Sequence, residues 1–212
     1  MDEDDRRVAG LYAQFLAENG PNYRALDWSS PRSQPDRFAR LAAVGIASGH
    51  SVLDVGCGLG DLLPWIDNVG LAVDYTGLDM TPEMIAHCRA TYDHGRFLEG
   101  NLLDGVAGFA PRSFDWVVAS GIFAHRKEKP WEYMTALIVA MADLAKRGIA
   151  FNAQSLSGPN PQTWLLYHAD PDETIAFCES LGWSVRLTHD WRKTDFTICM
   201  WRPDDEAAAP GA

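Results

Sequence analysis

No Cys-x-x-Cys pair occurs in this chain of 212 residues, and its 4 cysteines, Cys57, Cys88, Cys178 and Cys199, lie far apart. That scatter speaks against a zinc site or a disulfide framework and suits reduced thiols in a cytoplasm, where we place the protein. No metal ligand set is expected. Apolar runs all fall short of the roughly 18–20 residues that cross a bilayer, so no membrane partner is expected. The start, Met1-Asp2-Glu3-Asp4-Asp5, is acidic and lacks the basic and apolar regions of a signal peptide. Basic residues are scarce: 18 Lys and Arg stand against 29 Asp and Glu, a net charge of −11. A nucleic-acid binder needs a basic footprint. The longest basic stretch, Arg126-Lys127-Glu128-Lys129, is short and interrupted, so no nucleic-acid partner is expected. No internal repeat is visible.

What is present is a globular composition, 47% hydrophobic, in a length that supports one good core or a core with a small cap. Val8, Leu11, Tyr12, Phe15 and Leu16 recur at helical spacing, and Gly20-Pro21 ends that helix. A loop from Asn22 to Arg32 follows. Ser33 then reads as an N-cap, with Pro35 in the first turn and Phe38, Leu41 and Val44 on one face. These residues predict a helical cap over 1–50.

Beyond it, strands and helices alternate. Strands are predicted at Asp74–Met80, Arg96–Glu99, Phe114–Ser120 and Gly148–Ala153. Helices are predicted at Leu62–Val69, Pro82–Tyr92 (with Thr81 as N-cap), Trp131–Lys146 and Pro171–Leu181. Trp183–His189 and Asp195–Trp201 form a closing hairpin. The alternation implies an α/β domain over 51–202 with a mostly parallel sheet. The tail, 203–212, is expected to be disordered.

One segment carries the chemistry. Val52-Leu53-Asp54-Val55 leads into Gly56-Cys57-Gly58-Leu59-Gly60-Asp61, a strand breaking into glycines at alternate positions before a helix. Such a turn brings a ligand close to the backbone. A dinucleotide site usually reads Gly-x-Gly-x-x-Gly so that a pyrophosphate can sit on the helix N-terminus. Here the spacing differs, and Asp54 and Asp61 flank the loop. Negative charge disfavours a pyrophosphate and suits a cationic ligand. Asp79, at the end of the next strand, can accept hydrogen bonds from both ribose hydroxyls. Together these favour S-adenosylmethionine.

At this point the chain resembles the class I S-adenosylmethionine-dependent methyltransferases. The matching segments are VLDVGCGLGDLL at 52–63, YTGLDMTPEMIAHCR at 75–89, FLEGNLLDG at 97–105 and FDWVVASGIFAH at 114–125. Further segments resemble a group of small bacterial methyltransferase-like proteins. The resemblance implies a Rossmann-like fold with a seven-stranded, mostly parallel sheet in the order 3-2-1-4-5-7-6, the last-placed strand antiparallel. It implies that Asp54, Gly56, Cys57, Gly58 and Gly60 cradle the cofactor and that Asp79 holds its ribose. Met80 would pack on the adenine, with Asn101 and Leu102 flanking it. Ser120 and Gly121 would lie beside the transferred methyl group, and S-adenosylhomocysteine would be the product. Each residue also admits a structural role. Asp54 can serve as a strand-end carboxylate, Asp79 as a helix cap, Asn101 as a turn residue, and Cys57 as a small loop residue or a nucleophile.

The acceptor is less legible. A small molecule is expected, its methylated atom O, N or C, with the protein a monomer or homodimer. His125, just past the fourth strand, is the candidate base. Tyr23, Trp28, Tyr167 and His168 are candidate walls of the acceptor pocket, and Arg32, Gln34 and Arg37 candidate grips for an acceptor carboxylate. A lyase or cyclase on the same cofactor, a non-catalytic binding protein and an NAD-dependent oxidoreductase stand as alternatives.

Overall fold

The structure is a computed structural model that describes residues 1–105, 108–125, 127–159, 161, 163, 166–189 and 193–203. Its centre is a 7-stranded sheet of β1 (Ser51–Val55), β2 (Asp74–Asp79), β3 (Arg96–Glu99), β4 (Phe114–Ala119), β5 (Ala145–Gln154), β6 (Ser184–Thr188) and β7 (Asp195–Trp201), in the order β3-β2-β1-β4-β5-β7-β6. The inner strands run parallel, and β7 is antiparallel to both β5 and β6. This is the sheet implied by the resemblance.

Strand residues alternate between two apolar layers because successive side chains point to opposite faces. Leu53, Val117, Phe151 and Ile198 pack with Met134, Leu137 and Met141 of α5 (Pro130–Leu144). Val52, Trp116, Ala150 and Trp201 pack on the other face. There they meet Phe38 and Leu41 of α2 (Ser33–Ala42), Leu62 and Ile66 of α3 (Leu62–Asn68), and Ile85 of α4 (Pro82–Thr91). Helix α6 (Pro171–Ser180) precedes β6. Helix α2 therefore contributes to a sandwich layer, while α1 (Glu3–Asn19) and the loop after it lie over the strand ends.

Three local expectations change. Helix α1 begins at Glu3, not at Val8. Asp2 accepts from the Asp5 N–H at 2.7 Å, while its own N–H donates to Asp5 Oδ2 at 3.3 Å. The acidic first turn also suits the positive helix end. Ser33 is not an N-cap: it is the first helical residue of α2, Arg32 holds the cap position, and no side chain caps it. Strand β5 starts at Ala145, within the stretch predicted helical. Arg202 Nε donates to Ala145 O at 2.8 Å and its Nη2 to Ala142 O at 2.7 Å. These bonds satisfy the terminal carbonyls of α5, and Ala145 pairs directly with Phe114. The expected tail lies, beyond Pro203, outside the described residues.

Candidate functional site

The C-terminal ends of β1, β2, β4 and β5 open into one cavity of about 560 Å³, roofed by Val8 and Tyr12 of α1 and by Leu26 to Ser29 of the following loop. Asp54 stands at the end of β1, 3% exposed. Burial pushes its carboxyl up to about 7, despite a hydrogen bond from Tyr75 that acts the other way. The chain then turns: the Gly56 and Cys57 N–H groups donate to Leu78 O at 2.7 and 3.1 Å. Gly58 has φ 54°, and a Cβ there would stand 2.7 Å from Leu26 Cδ2. Conformation and close approach of the roof both demand glycine at that position. Its N–H donates to Asp79 Oδ2 at 2.9 Å, and the Thr81 N–H donates to Asp79 Oδ1 at 2.8 Å. Burial raises the Asp79 carboxyl, although these donors pull it down. Asp79 therefore braces the loop as well as facing the cavity.

Cys57 lines the cavity, but its hydrogen bond with Cys88 and its burial push the thiol well up. A protonated thiol is a poor nucleophile, so the residue acts as a small filler. Gly60 does not line the cavity; its N–H donates to Cys57 O at 2.9 Å and closes the turn from behind. Met80, Asn101 and Leu102 form one wall. Asn101 Oδ1 accepts from the Leu103 N–H at 3.0 Å, and its Nδ2 donates to Asp5 Oδ2 at 2.7 Å. It thus ties α1 to the turn after β3 while lining the site.

Opposite, Ser120 and Gly121 follow β4, and Asn152 Oδ1 accepts the Gly121 N–H at 2.9 Å. The Trp28 ring lies so close to Gly121 that a Cβ there would stand 2.7 Å from it. Trp28 also carries the Arg37 guanidinium, 4.2 Å from a ring centroid. His125 lines the cavity, edge-on to Tyr12 with centroids 5.0 Å apart. Burial lowers its pKa, while Asp27 acts to raise it.

The main chain joins this region to the segment after β5. The Tyr167 N–H donates to Ala124 O at 2.9 Å, and His125 forms an antiparallel bridge with Leu166. His168 consequently reaches the same cavity, while Tyr167 does not line it and packs against the α5 core. Tyr23 also lies outside the lining, beside Arg24, whose Nε donates to its hydroxyl at 3.2 Å. Trp164 and Leu165 lie outside the described residues.

Several lining residues escaped the sequence. Arg37 Nη2 donates to Asp195 Oδ1 at 2.5 Å, across 158 positions, and Arg37 Nη1 donates to Ser33 O at 2.6 Å. The grip expected of Arg37 on an acceptor carboxylate is therefore taken by Asp195. Gln34 likewise donates to Asp61 Oδ2 at 3.0 Å. Ser33, Gln154, Thr194 and Asp195 meet only in three dimensions, and no local pattern announces them. Asp27 carries a signal visible only in the backbone, φ 55°. The Asp27 N–H donates to Arg24 O and the Trp28 N–H to Tyr23 O, a turn closure that usually uses glycine.

The charge pattern tests what the cavity can hold. Arg37 is the one Lys or Arg among the described lining residues, and it is matched by Asp195. Asp54 and Asp79 face the cavity without a cation among the causes of their shifts. A ligand with positive charge and hydroxyl donors compensates them; a pyrophosphate would not. S-adenosylmethionine has that chemistry.

Comparison with known proteins agrees. Residues 52–148 match the model of a methyltransferase domain. A Mycobacterium tuberculosis protein, provisionally named a methyltransferase, is 35% identical over 166 residues, covering 76% of this chain and 98% of its own. The fold resembles a SAM-dependent methyltransferase from Archaeoglobus fulgidus, with TM-score 0.65, 15% identity, and 82% of this chain and 95% of that one covered. It also resembles magnesium protoporphyrin IX methyltransferase from Synechocystis with bound SAH, with TM-score 0.65, 17% identity, and 94% and 100% covered. The chain belongs to the class I S-adenosylmethionine-dependent methyltransferases.

Proposed function

We propose that this methyltransferase acts on a small-molecule acceptor. The cavity carries the reading: about 560 Å³ shared by the cofactor and acceptor sides beneath α1 and the Trp28 loop. Small-molecule sites span roughly 300–1,000 Å³. The net charge of −11 gives no support to a polyanionic substrate. The 4 cysteines are free and buried, which supports a reducing compartment such as the cytoplasm.

In this reading Asp54 and the Gly56–Gly58 backbone face the methionine part of the cofactor, Asp79 the ribose, and Met80, Asn101 and Leu102 the adenine. S-adenosylmethionine supplies a methyl group already activated on sulfur. The chain's residues hold the acceptor in line and exclude water. Trp28, in contact with both Gly121 and Arg37, closes the methyl-transfer side. His125 lines the same cavity, and burial favours its neutral ring, which supports a contact with the acceptor. Incubation with methyl-labelled S-adenosylmethionine and a size-fractionated cell extract tests the proposal. Label in the low-mass fraction, with S-adenosylhomocysteine released, is expected. Label only in protein or RNA would overturn it, and methylthioadenosine as product would favour a lyase or cyclase.

A further inference from the structure

His168 offers chemistry that neither fold nor family assigns. Its Nδ1 lies 3.3 Å from Ser155 O. A carbonyl only accepts, so Nδ1 must carry the hydrogen, and in the neutral ring Nε2 keeps its lone pair. That Nε2 is buried and has no hydrogen-bond partner among the described residues. The anchor is rigid: the Ser155 N–H donates to Thr194 O at 2.9 Å, and Ser155 bridges Ala169. The ring is thus tied to Ser155, whose own N–H bonds the residue just before β7.

A second polar atom in the same cavity is also unmatched. Ser33, displaced from its expected capping role, is 1% exposed, and its Oγ has no partner. Buried polar atoms are normally satisfied, so unmatched ones on residues that line a ligand cavity, Ser120 Oγ also among them, call for a ligand that bonds them. The Arg37 and Asp195 charges in the same cavity neutralise each other. Trp28, Pro159 and Leu166 give the cavity apolar surface.

We propose that His168 is the residue that receives the acceptor's nucleophilic O–H or N–H, with Ser33 as a second anchor, and that the acceptor is an uncharged hydroxyl or amine compound with an apolar body. This rests on the small-molecule reading above. In the reaction the lone pair of the acceptor's O or N forms the new bond to the methyl carbon. The carbon–sulfur bond breaks with its electron pair staying on sulfur, giving S-adenosylhomocysteine. The acceptor proton passes to His168 Nε2 and from there to solvent. A carboxylate or phosphate acceptor would bring no donor for Nε2 and would find Arg37 already engaged.

Long-range ¹H–¹⁵N spectra of the histidine rings, recorded with S-adenosylhomocysteine bound, test this. His168 should show a protonated Nδ1 and a bare Nε2. Phenol or aniline should shift the Nε2 signal, and benzoate should not. Ser33→Ala should raise the midpoint of that shift several-fold. His168→Gln identifies the signal and should keep S-adenosylhomocysteine affinity within about twofold; if it fails to fold, backbone-linked assignment of the wild-type chain serves instead. A proton on Nε2, no response to phenol and aniline, or an equal response to benzoate overturns the proposal. Failure of the underlying reading looks different: the wild type would not bind S-adenosylhomocysteine, or would label only macromolecules.

Discussion

The Tyr75 hydroxyl donates to Asp54 Oδ2 at 2.7 Å, beneath the glycine loop, in a setting that otherwise penalises charge. Burial raises the Asp54 carboxyl from its ordinary 3.8 to about 7. A carboxyl raised on folding contributes stability that is complete below the unfolded value and lost as pH rises through the folded one. The ligand-free protein should therefore lose on the order of 4 kcal/mol from this group between about pH 4 and pH 8. Asp54→Asn should flatten that part of the stability profile, measured by urea denaturation. A cationic ligand beside Asp54 favours the ionised form, so binding near pH 6.5 should release protons. Calorimetry in buffers of different ionisation enthalpy reads that release, and a variant profile identical to wild type would remove Asp54 from the cofactor site.

Asp79 offers a more direct test. Its carboxylate holds the Gly58 and Thr81 N–H groups and still faces the cavity. Asp79→Asn keeps one accepting oxygen and loses the charge. S-adenosylhomocysteine affinity should weaken by about 1–3 kcal/mol, the scale of charge-assisted hydrogen bonds. Asp79→Ala should weaken it further, because the loop loses its brace as well. Equal affinity for wild type and both variants by calorimetry would contradict the ribose assignment.

The contrast between these carboxylates and the acceptor side shows what a sequence can carry. Asp54, Gly56, Gly58 and Asp79 were legible because one strand-turn-helix places them within a few residues of each other or at the end of the adjacent strand. The alternating strands and helices implied a mostly parallel sheet, and the family resemblance supplied its order. Arg37 and Asp195, by contrast, meet only because α2 packs beside β7. Ser33 misled for a physical reason: serine before a helix usually caps it, and here the hydroxyl is directed elsewhere. His125 and His168 are both reached through the pairing of residues 124–125 with 166–167, which no local pattern encodes.

Trp28 supports the Arg37–Asp195 pair from the cavity side. A desolvated cation over an indole contributes about 1–2 kcal/mol. Trp28→Ala should lower unfolding free energy by about 2 kcal/mol and enlarge the acceptor side, whereas Trp28→Phe should recover about half of the loss. Denaturation of the variants, with S-adenosylhomocysteine calorimetry alongside, checks this. Unchanged stability in Trp28→Ala would show that the ring merely covers the pair.

The roof is fastened by a buried ion pair. Lys127 Nζ donates to Asp5 Oδ1, and the two side chains are 7% and 5% exposed. Asn101 donates to the other Asp5 oxygen at 2.7 Å, and Lys127 Nζ sits 4.0 Å from the Tyr133 ring centroid. Removing one partner leaves the other charge buried and uncompensated, which costs about 3–5 kcal/mol. Lys127→Met should therefore destabilise the protein strongly, and adding Asp5→Asn should restore part of the loss, since the Asn101 bond then joins neutral groups. The functional consequence follows from where α1 sits. Val8 and Tyr12 line the cavity one and two turns beyond Asp5, so loosening the pair frees the roof over the cofactor side. Lys127→Met should weaken S-adenosylhomocysteine binding and speed proteolysis within α1, with both effects reduced in the double variant. A double-mutant cycle in urea supplies the coupling energy. Additive losses, with cofactor affinity untouched, would mean that α1 is held to the domain by its apolar contacts with α4 alone.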